Sequence, residues 1–444
     1  MRANHFVIPT AAVAVVAAVA VAVAIAWRPG APATRSALYP DPDVARYRYP
    51  LAQPATAGPD RDTLIRELEA RAGQPSPSPL DLADLAALHL ERAHATGDAH
   101  DYASAETFAR RSLDILPSPN PALLTLAHVA NARHDFRAAI ELAGRALAQR
   151  RSAAAYVVLA TAQVALGELD DAARAADAAV ALRPTSSAYL TRALVHEAAG
   201  RDTEAASDFT RAAVVEDHGN PAGAARLRGL WGRFLLRRGE LAGAELLLRE
   251  SLRIDPDNPL ATGVLGELAL RRGDTQRAIA LFERAFYHSS QVRYLIDEAR
   301  ARQLAGNPAA ADALRAQVIR IARADLEAGA LGHRLDLVEA LVDRGRPGDL
   351  ADAIRIARDE VSRRPIDPAR FQLARALACS SEHDAALAQL RPALATGAAR
   401  AEHFELAAWL ERRAGDRDSA ARYAELADRL DPTAADWRRL VHCG

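Results

Sequence analysis

The chain has 444 residues, 50% hydrophobic, 25% charged and only 5% aromatic, with a formal net charge of −1. Near-neutrality argues against a general electrostatic footprint for nucleic acid. Every basic residue is Arg, and without Lys the chain has no phosphate-binding Walker loop and no Schiff-base residue.

The first element is an uncharged run of 22 residues, Phe6 to Trp27, mostly Ala and Val, bracketed by Arg2 and Arg28. That length spans a bilayer, so residues 1–28 are expected to form an uncleaved N-terminal signal anchor. Its counterpart is a signal peptide cut after Ala24-Ile25-Ala26, leaving an exported soluble protein. The long-side residues Arg28, Arg35, Arg46 and Arg48 argue for repeats facing the cytoplasm. A basic start of five residues before the run resembles an export signal, and we expect a single-pass bacterial inner-membrane protein whose bulk lies outside the cytoplasm.

Residues 29–80 carry Pro29, Pro32, Pro40, Pro42, Pro50 and Pro54 with Tyr39, Tyr47 and Tyr49 among them. They are expected to form an extended linker, interrupted by a short helix near 61–71 in which Leu64 and Leu68 share an edge. The Pro75, Pro77 and Pro79 alternation then breaks the chain again.

From residue 81 a repeat emerges. Glycine is followed at a fixed distance by alanine at Gly167/Ala172, Gly200/Ala205, Gly239/Ala244, Gly273/Ala278, Gly306/Ala311, Gly348/Ala353 and Gly415/Ala420. Proline closes four units at Pro184, Pro256, Pro365 and Pro432. In the unit from Ala153, the residues Tyr156, Leu159, Ala160 and Val164 give a first helix one apolar stripe. Gly167 ends it in a left-handed conformation, and Asp170 or Asp171 is placed to cap the next helix. Ala172, Ala176 and Ala179 then keep that helix close to the first. Weaker units surround His134, with Ala139 and Ala146, and Glu382, where Leu387 and Leu394 replace both alanines. Near Gly97 the displacement of Ala105, Ser112 and Pro117 reads as a longer turn.

Tyr156, Leu159, Ala160, Gly167, Ala172, Ala179 and Pro184, and again Leu265, Gly266, Gly273, Ala278, Phe282 and Ala285, make the chain resemble a tetratricopeptide-repeat (TPR) protein. The resemblance implies an all-α fold, a right-handed helix-turn-helix solenoid of about ten repeats over 81–432, preceded by one transmembrane helix. Residues 433–444 are expected to form a capping helix, Ala434 to His442, with Trp437 and Leu440 on one side and Arg438 and Arg439 on the other. The widened spacings around His218–Gly223 and Ala324–Arg334 place extra loop or helix between units.

Catalytic constellations are missing. His196-Glu197 begins like a zinc-protease helix, but Gly200 occupies the place of the second histidine. His89, His94 and His100 do not stack on one helix face. No cofactor and no metal are expected, nor an enzyme. Cys379 and Cys443 lie about two units apart, beyond disulfide reach unless the tail folds back, and read most simply as a small buried residue and a frayed-end thiol.

What remains is binding. In the resembled family the first helices of successive units line a concave groove for peptides or partner helices. Register transfer puts Arg226, Arg233, Arg237, Arg271, Arg293 and Arg300 on that side, with Glu267 among them and Trp409 further on. The stripe reads either as a clamp for acidic or carboxylate groups or as a face of internal Arg–Glu pairs. Trp409 reads as a partner anchor or as a residue buried against the terminal helix. The expected function is a membrane-anchored scaffold for other proteins in a cell-envelope complex; the alternative is a non-catalytic regulatory or substrate-presenting subunit of a neighbouring enzyme.

Overall fold

The computed structural model describes residues 38–49, 51, 60–96, 98–217, 219–328, 332–433 and 436–443. The apolar run 6–27 lies outside them. Among the described residues there is no strand, and no helix is long and apolar enough to cross a membrane.

Two helices precede the array, α1 (Pro42–Ala45) and α2 (Arg61–Ala72). Ten antiparallel pairs follow. Units 1 to 3 are α3 (Pro79–Thr96) with α4 (Ala99–Ile115), α5 (Ala122–Ala132) with α6 (Phe136–Gln149), and α7 (Ala153–Leu166) with α8 (Leu169–Leu182). Units 4 to 6 are α9 (Ser186–Ala198) with α10 (Asp202–Val214), α11 (Pro221–Arg237) with α12 (Leu241–Ile254), and α13 (Pro259–Arg271) with α14 (Thr275–Ser289). Units 7 and 8 are α15 (Val292–Leu304) with α16 (Pro308–Glu327), and α17 (Arg334–Arg344) with α18 (Pro347–Arg363). Units 9 and 10 are α19 (Asp367–Cys379) with α20 (His383–Thr396), and α21 (Ala401–Ala414) with α22 (Arg417–Leu430). Over the described residues the fold is an all-helical solenoid of such pairs.

The turn glycines behave as a left-handed stop demands, with positive φ at Gly167, Gly200, Gly239, Gly273, Gly306 and Gly415. Four local readings need correction. In unit 8 the left-handed residue is Gly345, and Gly348 sits in the first turn of α18, which starts early at Pro347. In unit 9 Ser381 takes the glycine's place, so the small packing residues are the buried Ala386 and Ala393 rather than Leu387 and Leu394. The displaced Ala105 and Ser112 of unit 1, both fully buried, belong to a helix that begins one turn earlier. The N-cap of α8 is Glu168; Asp170 and Asp171 lie in the first turn, where their charge still favours the helix dipole.

Another piece of chain lies against the second helices of units 4 and 5. Instead of running free, Leu38 to Tyr49 lies against α10 and α12, burying Leu38 and Ala45 in the cluster that contains Phe209, Trp231 and Phe234. Burial of a side chain such as Leu38 stabilises by about 1.5–3 kcal/mol. Polar contacts fix the register. The Tyr47 amide donates to Glu250 Oε1 at 2.7 Å, Arg253 Nη2 donates to the Tyr47 carbonyl at 3.1 Å, and Arg228 Nε donates to the Ala45 carbonyl at 2.6 Å.

The solenoid also touches itself one superhelical turn later. The unit 4 turn at Gly200 abuts Thr396 at the end of unit 9 and Ala398 just beyond it, so that a Cβ there would stand 2.7 Å from the Ala398 nitrogen. At the unit 5 turn a Cβ on Gly239 would lie 2.7 Å from the Leu430 carbonyl oxygen of unit 10. Gly167 of unit 3 faces Pro365 and Ile366 beyond unit 8, and His134 of unit 2 faces Gly332 beyond unit 7. Each of these turns thus meets the end of the unit five places on or the linker that follows it. Arg238 crosses the same seam, donating to the Ala399 carbonyl at 3.2 Å while pairing with Asp202 at 2.8 Å.

The tail folds back, and the cysteine reading is corrected accordingly. Cys379 and Cys443 form a disulfide, with a Cα–Cα distance of 5.1 Å. The expected capping helix is reduced to a 3-10 turn, Arg438–Val441. Arg438 does not face solvent: it is buried, 2.5 Å from Asp428, and Trp437 Nε1 donates to Asp431 at 2.6 Å.

Candidate binding groove

The first helices of most successive units touch one another, which puts one face of each on the inner side of the superhelix. On that side charge replaces part of the hydrophobic contact between units. Arg237 of unit 5 pairs with Glu197 of unit 4 at 2.9 Å. Arg293 of unit 7 reaches Asp297 at 3.0 Å and Glu339 of unit 8 at 2.5 Å. Arg300 spans to Glu339 at 2.5 Å and to Asp343 at 3.0 Å, and Asp343 also takes Arg375 of unit 9 at 2.6 Å. Each of these arginines finds a carboxylate in a neighbouring unit, before or after its own.

The electrostatics follow from that crowding. Burial works against the Glu197 carboxylate, yet Arg237 and Arg233 outweigh it and hold its pKa below the ordinary value. Burial likewise opposes ionisation of Asp343, and Arg300 with Arg375 overcomes it, lowering its pKa strongly. Glu402, at the start of α21, is brought down to about 2 by Arg400 and Arg271 against the opposing effect of burial. Arg237 moves the other way: burial and then the neighbouring Arg233 push its guanidinium down to about 10.

The eight residues expected on the groove therefore divide. Arg237, Arg293 and Arg300 are on the inner side but are paired within the protein. Arg271 is buried: it donates to the Leu236 carbonyl at 3.1 Å, pairs with Glu267 at 2.6 Å, and lies 4.5 Å from the centre of the Trp437 ring. Trp409 is half-buried between Arg413, 4.5 Å over its ring, and the tail residue His442, stacked at 5.5 Å. Arg226 and Arg233 are different. Among the described residues no hydrogen bond or ion pair reaches either one, and the Arg233 Nε is a buried atom without a partner. Burial and Arg233 lower the Arg226 pKa, and Arg226 in turn adds to burial in lowering the pKa of His94 in unit 1.

Sequence reasoning missed the acidic half of this system, Glu197, Asp297, Glu339 and Asp343, together with Arg375. The signal was present: Glu197 to Arg237 and Arg300 to Asp343 are one widened unit apart. Transferring register for carboxylates as well as arginines would have found them.

Tetratricopeptide-repeat models match residues 124–186, 157–224 and 235–295. Over those residues the units are tetratricopeptide repeats. A search of curated protein sequences finds no match. Among solved structures the chain is similar to one in the Cut9–Hcn1 hetero-tetramer of the APC/C, 12% identical with a TM-score of 0.48, over 84% of this chain. This chain spans 60% of that one's length. A tetratricopeptide repeat protein from Parabacteroides merdae is 17% identical with a TM-score of 0.38, over 52% of this chain and 91% of that one. Human IFIT1, crystallised with PPP-AAAA, is 15% identical with a TM-score of 0.42, over 83% and 94%.

Proposed function

We propose that the protein is a non-catalytic scaffold, held at a bacterial membrane by residues 6–27 with its repeats outside the cytoplasm, whose groove takes an acidic stretch of a partner polypeptide at Arg226 and Arg233. Tetratricopeptide repeats generally bind other proteins or peptides. The observation that carries the reading is the contrast along one stripe: Arg237, Arg293 and Arg300 each hold a carboxylate within ion-pair distance, whereas Arg226 and Arg233 hold none so close among the described residues. Seven residues on one helix put the two about 10 Å apart along its axis, a spacing that fits acidic side chains along one peptide. The Cys379–Cys443 disulfide supports an oxidising compartment.

The test uses the full chain. A fluorescent oligoglutamate peptide should bind with salt-sensitive affinity, and Arg226→Glu with Arg233→Glu should weaken it by at least about tenfold, since a hydrogen bond to a charged group is worth about 1.5–3 kcal/mol. The same pair should remove the proteins that co-purify with the chain from solubilised membranes. Unchanged peptide affinity and partner recovery would falsify the groove assignment. A C-terminal alkaline phosphatase fusion should be active, and its silence would reverse the orientation.

A further inference from the structure

A second concentration of arginine lies away from Arg226 and Arg233, where units 7, 8 and 9 meet the folded-back tail. A cavity of about 400 Å³ is lined there by Arg300, Arg315, Arg344, Arg375 and Arg439, with Asp343 among them, and the tail residues Leu440, His442 and Cys443 also line it. The disulfide to Cys379 and the Leu440 carbonyl, 3.3 Å from Arg375 Nη2, hold the tail in place.

The charges do not balance. Asp343 serves both Arg300 and Arg375, Glu339 takes a second contact from Arg300, Asp349 holds Arg344 at 2.6 Å, and Asp436 stands 3.6 Å from Arg439 on the exposed tail. Arg315 has only the Gln303 side-chain carbonyl, with no carboxylate in ion-pair reach among the described residues. It is 6% exposed and Arg375 1%, and the Nε atoms of both are buried without a hydrogen-bond partner. Burial, and then the repulsion of Arg300 and Arg375 against the pull of Asp343 and Asp312, leaves Arg315 with a lowered pKa. Leaving a buried charged donor unsatisfied is costly. An anion in the cavity removes that cost.

We propose that this cavity is a binding site for a small phosphomonoester. The planar fork of each arginine suits phosphate oxygens, and a phosphate monoester brings close to two negative charges and three acceptor oxygens at neutral pH. The volume is that of a small-molecule site and exceeds what bare phosphate fills. The folded-back tail lines the cavity, so the space suits a compact molecule rather than a polypeptide running through.

Isothermal titration of the oxidised full chain with inorganic phosphate and with adenosine monophosphate, at matched ionic strength, tests the assignment. Saturable binding is expected, weakened at least about tenfold in Arg315→Gln and unchanged in Arg355→Gln, an exposed arginine outside the cavity. Tighter binding of the nucleotide identifies an organic phosphate; equal affinity identifies the phosphate group itself as the whole ligand and overturns the ester. If Arg315→Gln does not fold, Arg439→Gln on the exposed tail carries the same expectation. No saturable heat with either probe, or wild-type affinity in the folded cavity variants, overturns the site. Failure of the oligoglutamate experiment leaves this result intact, because Arg226 and Arg233 line no part of the cavity.

Discussion

Asp336, at the start of α17, faces the same paired stripe without a hydrogen bond or ion pair of its own among the described residues. Burial raises its pKa to about 6; Arg293 and His333 oppose the rise, and Glu339 and Asp297 add to it. A folded-state pKa above the unfolded one means that the folded chain holds its proton more tightly, so stability falls as pH climbs from the ordinary aspartate range through about 6. Asp336→Asn removes the ionisation. Thermal melts should show the variant more stable than wild type above pH 6 and the advantage shrinking as pH falls towards 4, roughly the unperturbed aspartate value. A pH-independent difference would assign the effect to packing instead. At this scale the sequence located the arginines by register, but a side chain's partner depends on which unit stacks against it. Arg271 and Arg237 look equivalent along the chain, each two residues before a turn glycine, and only the first lies under Trp437.

Among the elements, the array was legible because each mark has a local cause: a left-handed residue, a small side chain at a helix crossing, a proline after the second helix. Where another residue supplies the same conformation, as Ser381 does for glycine, the register slipped by one and the wrong alanine position was chosen. The segment from Leu38 to Tyr49 was not legible at all, since its partners Arg228, Glu250 and Arg253 lie about two hundred residues away. Arg228 is fully buried, pairs with Glu216 at 2.7 Å and carries the Ala45 carbonyl. Arg228→Met should cost about 3–5 kcal/mol, the range for breaking a buried pair by removing one partner, and expose the 215–220 linker to limited proteolysis. Proteolysis at the wild-type rate would mean that the segment does not brace units 4 and 5.

For the whole molecule, closure is the feature with the largest consequence. Gly200 and Gly273 have the same left-handed conformation, yet nothing stands within 4 Å of a Cβ at Gly273, whereas one at Gly200 would enter the backbone of residues 396–398. Gly273→Ala should therefore carry only the conformational cost of about 1–2 kcal/mol. Gly200→Ala should add an overpacking cost of about 1–3 kcal/mol and enlarge the radius of gyration in small-angle scattering. Equal compactness of the two variants would show that the seam between turns does not hold the superhelix closed.

Helix pairing was determined by the sequence alone, because turns, caps and small-residue crossings act within one unit or between neighbours. The disulfide, the seam between units five places apart, the docking of Leu38 to Tyr49 and the neutralisation of most groove arginines were decided by tertiary structure. The seam joins residues brought together by the summed rotation of five units, and the others depend on where a terminal segment folds back or on which face of a neighbouring unit stacks against a side chain; no local pattern of residues encodes either.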